Sequence, residues 1–445
     1  MRCFFLIILL CCLTKTVNAS DSLWTLEHCI DYADSHNISI RASEVSARAA
    51  KMQYEQSRLS QFPAISFSGS YGKNFGRSID PTSNQFENTT YGFTGLSGSA
   101  SFLLFGWFGK RNTIKKNNLL HQASMADMEQ LKDNVRLNIV NSYLKILLAK
   151  EQIRISKRQI DYSIQKEEQT AQLLKAGRSN GLDMSQMETQ LTIDSATWLK
   201  ANLAYDQAVI DLKAILNLEL QTPFAISPLS EGDSSAGMLL KLTPKMVYNV
   251  ALAYQGNIKS NQLKVKSAEK DVAIAKSGLY PSLSIGGSFG TNYSSTFYQY
   301  LPNGDQVLMP WGKQLRNNFS QSVYISLGIP VFNGLSGRYA VKQSKVTLQT
   351  SRLEEQQAES DLRQTVYKAW NDVATALQTW HAAVSTSKSA NKGYYFAEER
   401  YKKGLINAAD FLTAQNTFFK AQYDEAVAKY DFIFKVKVIE FYMGK

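Results

Sequence analysis

The sequence predicts a mainly helical chain that carries four membrane-type β-strands and is built from one unit repeated in tandem. Three observations predict this. Proline-led, serine-alternating segments recur at a near-constant offset. Two very long stretches almost lack glycine and proline. An export signal precedes a chain with no apolar run long enough for a membrane helix.

The signal comes first. Arg2 supplies a positive charge, Phe4 to Leu13 is an unbroken apolar run counting the cysteines, and Val17-Asn18-Ala19 suits a signal peptidase. Cleavage is expected after Ala19. The apolar run is too short to stay as a membrane span, which needs about 20 residues. Lipidation is disfavoured, because Leu10 and Cys11, rather than a small residue, precede Cys11 and Cys12. Cleavage removes Cys3, Cys11 and Cys12, and the single remaining Cys29 cannot form an internal disulfide. It reads as a small buried residue of an early helix. No later stretch reaches 18 consecutive apolar residues, so the mature chain has no transmembrane helix. A β-barrel remains the other way to cross a membrane.

The repeat follows. Gln61-Phe62-Pro63-Ala64-Ile65-Ser66 resembles Leu279-Tyr280-Pro281-Ser282-Leu283-Ser284, at an offset of 281 − 63 = 218. Gly177 with Asp183 resembles Gly404 with Asp410, at an offset of 227. The growth falls between the two strands of each pair, as a longer loop in the second half. The expected organisation is a signal peptide at 1–19, a first repeat at 20–221, a linker at 222–244 and a second repeat at 245–445.

Each repeat holds a strand pair, at about 63–105 and about 281–332. Ile65, Phe67, Gly69 and Tyr71 alternate with Ser66, Ser68 and Ser70, and Val323 to Val331 alternates in the same way. Segments of about ten residues suit tilted membrane strands. Tyr91, Phe93, Trp107, Phe108, Tyr298 and Trp311 crowd the strand ends, where headgroup-level rings would lie. Pro63 and Pro281 mark the helix-to-strand junctions.

The long helices come next. Between Gly109 and Gly177 no glycine or proline occurs, and between Gly337 and Gly404 only Gly393 does. A helix through the first stretch would run about 100 Å. Val366, Trp370, Val373, Leu377, Trp380 and Val384 step by 4, 3, 4, 3, 4, and Ile139, Tyr143, Ile146, Ile153 and Ile160 keep a similar beat. That is coiled-coil patterning. Helical hairpins are therefore expected at about 109–220 and about 337–443. Leu23 to Leu59 and Thr243 to Gly278 read as the helices leading into the strand pairs, the first with a break near Asn37.

Four strands cannot close a barrel, and open edges in lipid cost several kcal/mol per unpaired group. Neighbouring copies must supply the missing pairing. Three copies give 3 × 4 = 12 strands, an even number in the range of known barrels. The fold class is thus mainly α with a membrane β-barrel. Four strands per protomer form a trimeric 12-stranded barrel, continued by a long antiparallel coiled-coil tunnel.

In this order, and in duplicate, these features resemble the TolC-type outer membrane efflux proteins across nearly the whole mature chain. Pro63-Ala64-Ile65, Pro281-Ser282-Leu283, Val331-Phe332-Asn333-Gly334 with Gly337-Arg338, and the segments Leu173 to Leu191 and Tyr401 to Phe419 carry the resemblance. It implies an outer membrane channel with a periplasmic helical portion. Such a channel gives passive exit for cargo delivered by an inner membrane pump through a periplasmic adaptor. Its partners are two further copies of itself, the adaptor, the pump and outer membrane lipid. The helical tips at Gly177 and Gly404 become the entrance and adaptor dock. Asp410 falls on an acidic ring position, and Tyr401 and Asp183 on linking positions. Thr413 and Ile406 stand where a second ring carboxylate and a linking arginine would be. Asp410 also sits early in the last helix, where a carboxylate favours free backbone N–H groups; both readings stay open. The competing class is a periplasmic scaffold or adaptor without a pore.

No enzyme chemistry emerges, and no cofactor is implied. His28, Cys29 and His36 match no standard zinc spacing, and no phosphate loop or nucleophile elbow occurs. The net charge of +11 becomes 11 − 2 = +9 once Arg2 and Lys15 leave. Its lysines and arginines are interspersed with acids along helices, which suits a solvated coiled coil rather than nucleic acid.

Overall fold

The computed structural model describes residues 23–79, 85–88, 90–228, 242–302 and 304–444. The expected signal peptide and most of the expected linker lie outside them. The elements run α1 (Leu26–His36), α2 (Ile38–Leu59), β1 (Ala64–Asn74), β2 (Arg77–Ile79), β3 (Phe86–Asn88), β4 (Tyr91–Phe105), α3 (Gly109–Lys175) and α4 (Gly181–Leu216). After the linker come α5 (Pro244–Tyr254), α6 (Gly256–Ser277), β5 (Ser282–Ser294), β6 (Tyr298–Tyr300), β7 (Gln306–Leu308), α7 (Trp311–Asn317), β8 (Ser320–Gly328), α8 (Ser336–Lys402) and α9 (Ala408–Tyr442). They fall into two compact units. One comprises Met1–Glu44, Met128–Gly256 and Glu359–Lys445, and the other Val45–Asp127 and Asn257–Ala358.

The second unit holds a four-stranded antiparallel sheet in the order β1-β4-β5-β8. Its two proline junctions are built alike. Phe62 and Tyr280 donate their N–H groups back to Leu59 and Ser277, closing α2 and α6. Pro63 and Pro281 cannot donate, and extended chain begins at the next residue. Register places Ser66, Ser99, Ser288 and Ser322 in one row across all four strands. Ser66 and Ser99 lie 2.9 Å apart, Ser288 and Ser322 2.8 Å, and Ser68 and Ser97 of the next row 2.7 Å. Ile65, Phe67, Ile285, Val323, Ile325 and Leu327 take the opposite face by strand alternation. That face is bare in a single chain: Ile65 and Val323 are each 80% exposed and Phe67 69%. Among the described residues, the outer edges of β1 and β8 have no partner strand in the sheet.

One expectation needs correction here. The last strand ends at Gly328 rather than running to about 332, because Pro330 cannot donate to a ladder. The longer loop of the second half lies between β5 and β8. It contains the β6–β7 hairpin and α7, fastened to β5 by Gln314, which is fully buried. The Gln314 amide accepts from Ser294 N–H at 2.9 Å and donates to the carbonyls of Ser294 and Met309 at 2.9 and 2.8 Å.

The first unit is helical. The break at Asn37 is where the sequence placed it. Asn37 leaves the helical region at φ −65°, ψ 125°. Its side-chain oxygen then caps α2 by accepting from Ser39 and Ile40 N–H. Gln255 breaks the helix expected over Thr243 to Gly278 with nearly the same angles, φ −62°, ψ 125°. The two breaks are 255 − 37 = 218 residues apart. Ile139, Tyr143 and Ile146 of the long helix pack with Cys29, Leu212 and Leu216 in one core. Val366 and Val373 pack with Val247, Ala251 and Phe432 in a second. The apolar beat does not hold everywhere: Ile164 and Val384 are exposed.

Candidate functional site

The site lies where the two long helices turn back, within the helical unit. Both turns are made in the same way. Gly177 and Gly404 adopt φ +69° and +72°, a left-handed conformation that costs glycine nothing. Each helix closes by a paired bond pattern: Gly177 N–H to Leu174 and Arg178 N–H to Leu173, then Gly404 N–H to Tyr401 and Leu405 N–H to Arg400. Three residues beyond each glycine an asparagine starts the returning helix. Asn180 accepts from the N–H of Asp183 at 2.9 Å, and Asn407 from that of Asp410 at 2.8 Å. Sequence reasoning missed these two caps, although an asparagine three residues before an aspartate at the shared offset of 227 was the available signal.

Asp183 and Asp410 thus occupy matching places in the first turns of α4 and α9, where a carboxylate opposes the positive helix end. Asp410 is exposed. Thr413, one turn on, bonds its own helix by donating to the carbonyl of Ala409 at 2.8 Å. Ile406, in the turn, is half-buried.

Tyr401 reaches from α8 to α3 and α9. It is buried, its hydroxyl lies 2.8 Å from that of Thr170 on α3, and its ring stacks on Phe411 of α9 with centroids 4.9 Å apart. Burial pushes the phenol up; the Thr170 bond pulls it down and the Asp183 carboxylate raises it. Tyr401 and Asp183 therefore share one neighbourhood. One turn away, Lys166 of α3 is buried and reaches Glu398 of α8 at 2.8 Å and Gln169 at 3.2 Å. Its ammonium also lies 5.7 Å from the centre of the Phe411 ring. Lys402 approaches Glu398 at 3.5 Å. Burial raises Glu398, but the Lys166 and Lys402 ammonium groups outweigh it, so its carboxyl lies below the ordinary 4.5. Sequence reasoning did not single out Lys166 and Glu398, because nothing local joins residues 232 positions apart.

A second polar layer crosses the same helices. Asp194 of α4 is 1% exposed. Its oxygens accept from Gln159 at 2.6 Å, Gln190 at 2.8 Å and the hydroxyl of Ser163. Elsewhere in the unit, Cys29 is fully buried, and burial pushes its thiol up to about 12. His28 packs edge-on against Trp24 and His36 stacks on Tyr32. No group of three or more histidines, cysteines and carboxylates is placed to hold a metal among the described residues.

The family model for outer membrane efflux proteins matches residues 29–218 and 247–444. Toxin and drug export protein A of Aggregatibacter actinomycetemcomitans is 23% identical over 435 residues, covering 95% of this chain and 88% of that protein. The solved outer-membrane channel OprN superposes with a TM-score of 0.76 at 18% identity, covering 94% of this chain and 89% of that one. The CmeC outer membrane channel of Campylobacter jejuni gives 0.74 at 18% identity, covering 94% and 85%.

Proposed function

The chain belongs to the outer membrane efflux protein family, and from that premise we propose that three copies form the channel. Membership makes it an outer membrane component of efflux or export and not an enzyme. The observation that carries the trimer is the sheet: four strands, two unpaired outer edges and one bare apolar face. Pairing β8 of one copy with β1 of the next would satisfy both edges and turn the apolar face to lipid. The serine face then lines the lumen, and the helical hairpins form the periplasmic tunnel. A pore-free scaffold would leave that apolar face in water. The halves read as a duplication. In support, the two family-matched stretches begin 247 − 29 = 218 residues apart, the offset that also separates the proline junctions and the helix breaks.

Native mass spectrometry in detergent is expected to show a trimer, and reconstitution in planar bilayers to give ion conduction. A monomer that inserts stably into membranes would overturn the reading.

In this assembly the tips carrying Gly177 and Gly404 are the entrance and the dock for an adaptor, which delivers cargo from an inner membrane pump. Three Asp410 side chains would meet around the axis, and an acidic ring favours cations. Asp410→Asn keeps a helix-compatible side chain and removes the charge. We expect it to fold normally, to lose cation preference in reversal-potential measurements, and to resist block by multivalent cations. Unchanged selectivity would leave Asp410 as a helix-start residue only.

A further inference from the structure

Asp194 is a buried carboxylate with no cation beside it. Its three donors, Gln159, Gln190 and Ser163, are all neutral. The layer extends to α9 through three bonds. Gln415 donates to the Ser163 oxygen at 3.0 Å, and Asn416 and Gln190 exchange bonds of 3.1 and 3.2 Å. Gln415 is fully buried, yet its side-chain oxygen has no donor. The layer therefore holds one more acceptor than its donors serve.

The charged groups of the packed helices are engaged elsewhere. On α3, Arg158 bonds Gln422 and Lys166 bonds Glu398. On α4, the residues one turn from Asp194 are Gln190 and Trp198. On α9, those one turn from Gln415 are Phe411, Phe418 and Phe419. On α8, burial pushes the phenols of Tyr394 and Tyr401 up, and they stay uncharged.

We propose that this layer is a proton-tightened joint: α9 is held to α3 and α4 more firmly when Asp194 carries a proton than when it is ionised. A proton removes an uncompensated buried charge and gives the layer the donor it lacks. Burial lifts Asp194 above its ordinary 3.8, and the bonds from Ser163, Gln190 and Gln159 only partly offset that. The sign follows. Folding favours the protonated form, so this stabilisation is complete below 3.8 and is lost as pH rises through the raised value. The joint lies beside the proposed entrance and rests on that reading for its role, but not for its existence.

The test is hydrogen exchange of residues 411–419 in the detergent-solubilised full chain, corrected for intrinsic rates, over a pH series from about 8 down to about 3.5. The wild type should gain severalfold in protection toward acid, with the gain complete below 3.8. Asp194→Asn should show high protection throughout and no step. Gln415→Leu should lose the step in α9 while leaving it around Asp194 in α4. A wild type without a step, or a step that persists in Asp194→Asn, overturns the joint. Planar-bilayer conductance separates the two readings. A channel that never conducts refutes the pore while the exchange result still decides the joint.

Discussion

Replacing Glu398 by glutamine is expected to loosen the α3–α8 junction by about 3 kcal/mol, the scale for stranding one partner of a buried ion pair. The reason lies in what remains. Lys166 is buried, and without Glu398 its ammonium keeps only Gln169 and the face of Phe411. Neither neutralises it. Hydrogen exchange should rise in α8 around Tyr394 to Tyr401, and resting leak conductance should rise with it. The exchanged pair Lys166→Glu with Glu398→Lys should recover much of the loss, which a purely steric effect would not allow. The pH dependence has the opposite sign to that of Asp194. Glu398 lies below its ordinary value, so its contribution is present above 4.5 and is lost as pH falls through the lowered value. Unchanged exchange and leak in Glu398→Gln would remove the clamp from the account.

The second large effect is expected at the turns. Gly177→Val and Gly404→Val each place a β-branched side chain at positive φ, which costs about 1–2 kcal/mol even for an unbranched residue. A Cβ at either site would meet no atom within 4 Å, so the penalty is mainly conformational. Relief requires the turn to change its backbone angles. That in turn breaks the paired carbonyl bonds and shifts the capped start of α4 or α9. Export should fall while the proposed trimer and barrel stay intact, and the double variant should be worse than either single one. Alanine at the same sites should fall between glycine and valine. Normal export by both valine variants would mean that the turns tolerate other conformations.

Local chemistry made much of the architecture legible. Pro63 and Pro281 announced the strand starts because a residue without an N–H cannot extend a helix that precedes it. Period-two serine alternation gave the sheet, and Asn37 gave its helix break. Gln255 was missed because glutamine carries no breaking signal of its own; only its offset from Asn37 marked it. The β6–β7 hairpin and α7 were missed because each is short and is held by Gln314, a tertiary contact. In the site, Gly177 and Gly404 were readable from local backbone need. Tyr401 was noticed, but its partner Thr170 lies 231 residues away in sequence. Lys166, Glu398, Asp194 and Gln415 share the same difficulty. On a long solvated helix a buried charge looks like any surface charge until the neighbouring helices are in place.

The serine rows bear on transport speed. In Ser66–Ser99, Ser68–Ser97 and Ser288–Ser322, each pair commits one of its two hydroxyl protons to the other member. Where such a wall faces a lumen, a solute brushing past finds wettable but half-occupied hydroxyls with no fixed charge among them. Adsorption is shallow and dwell times are short. In the proposed assembly throughput would then be governed by how often the entrance admits a molecule, and the barrel would act as a low-friction sleeve that imposes little chemical preference on what leaves.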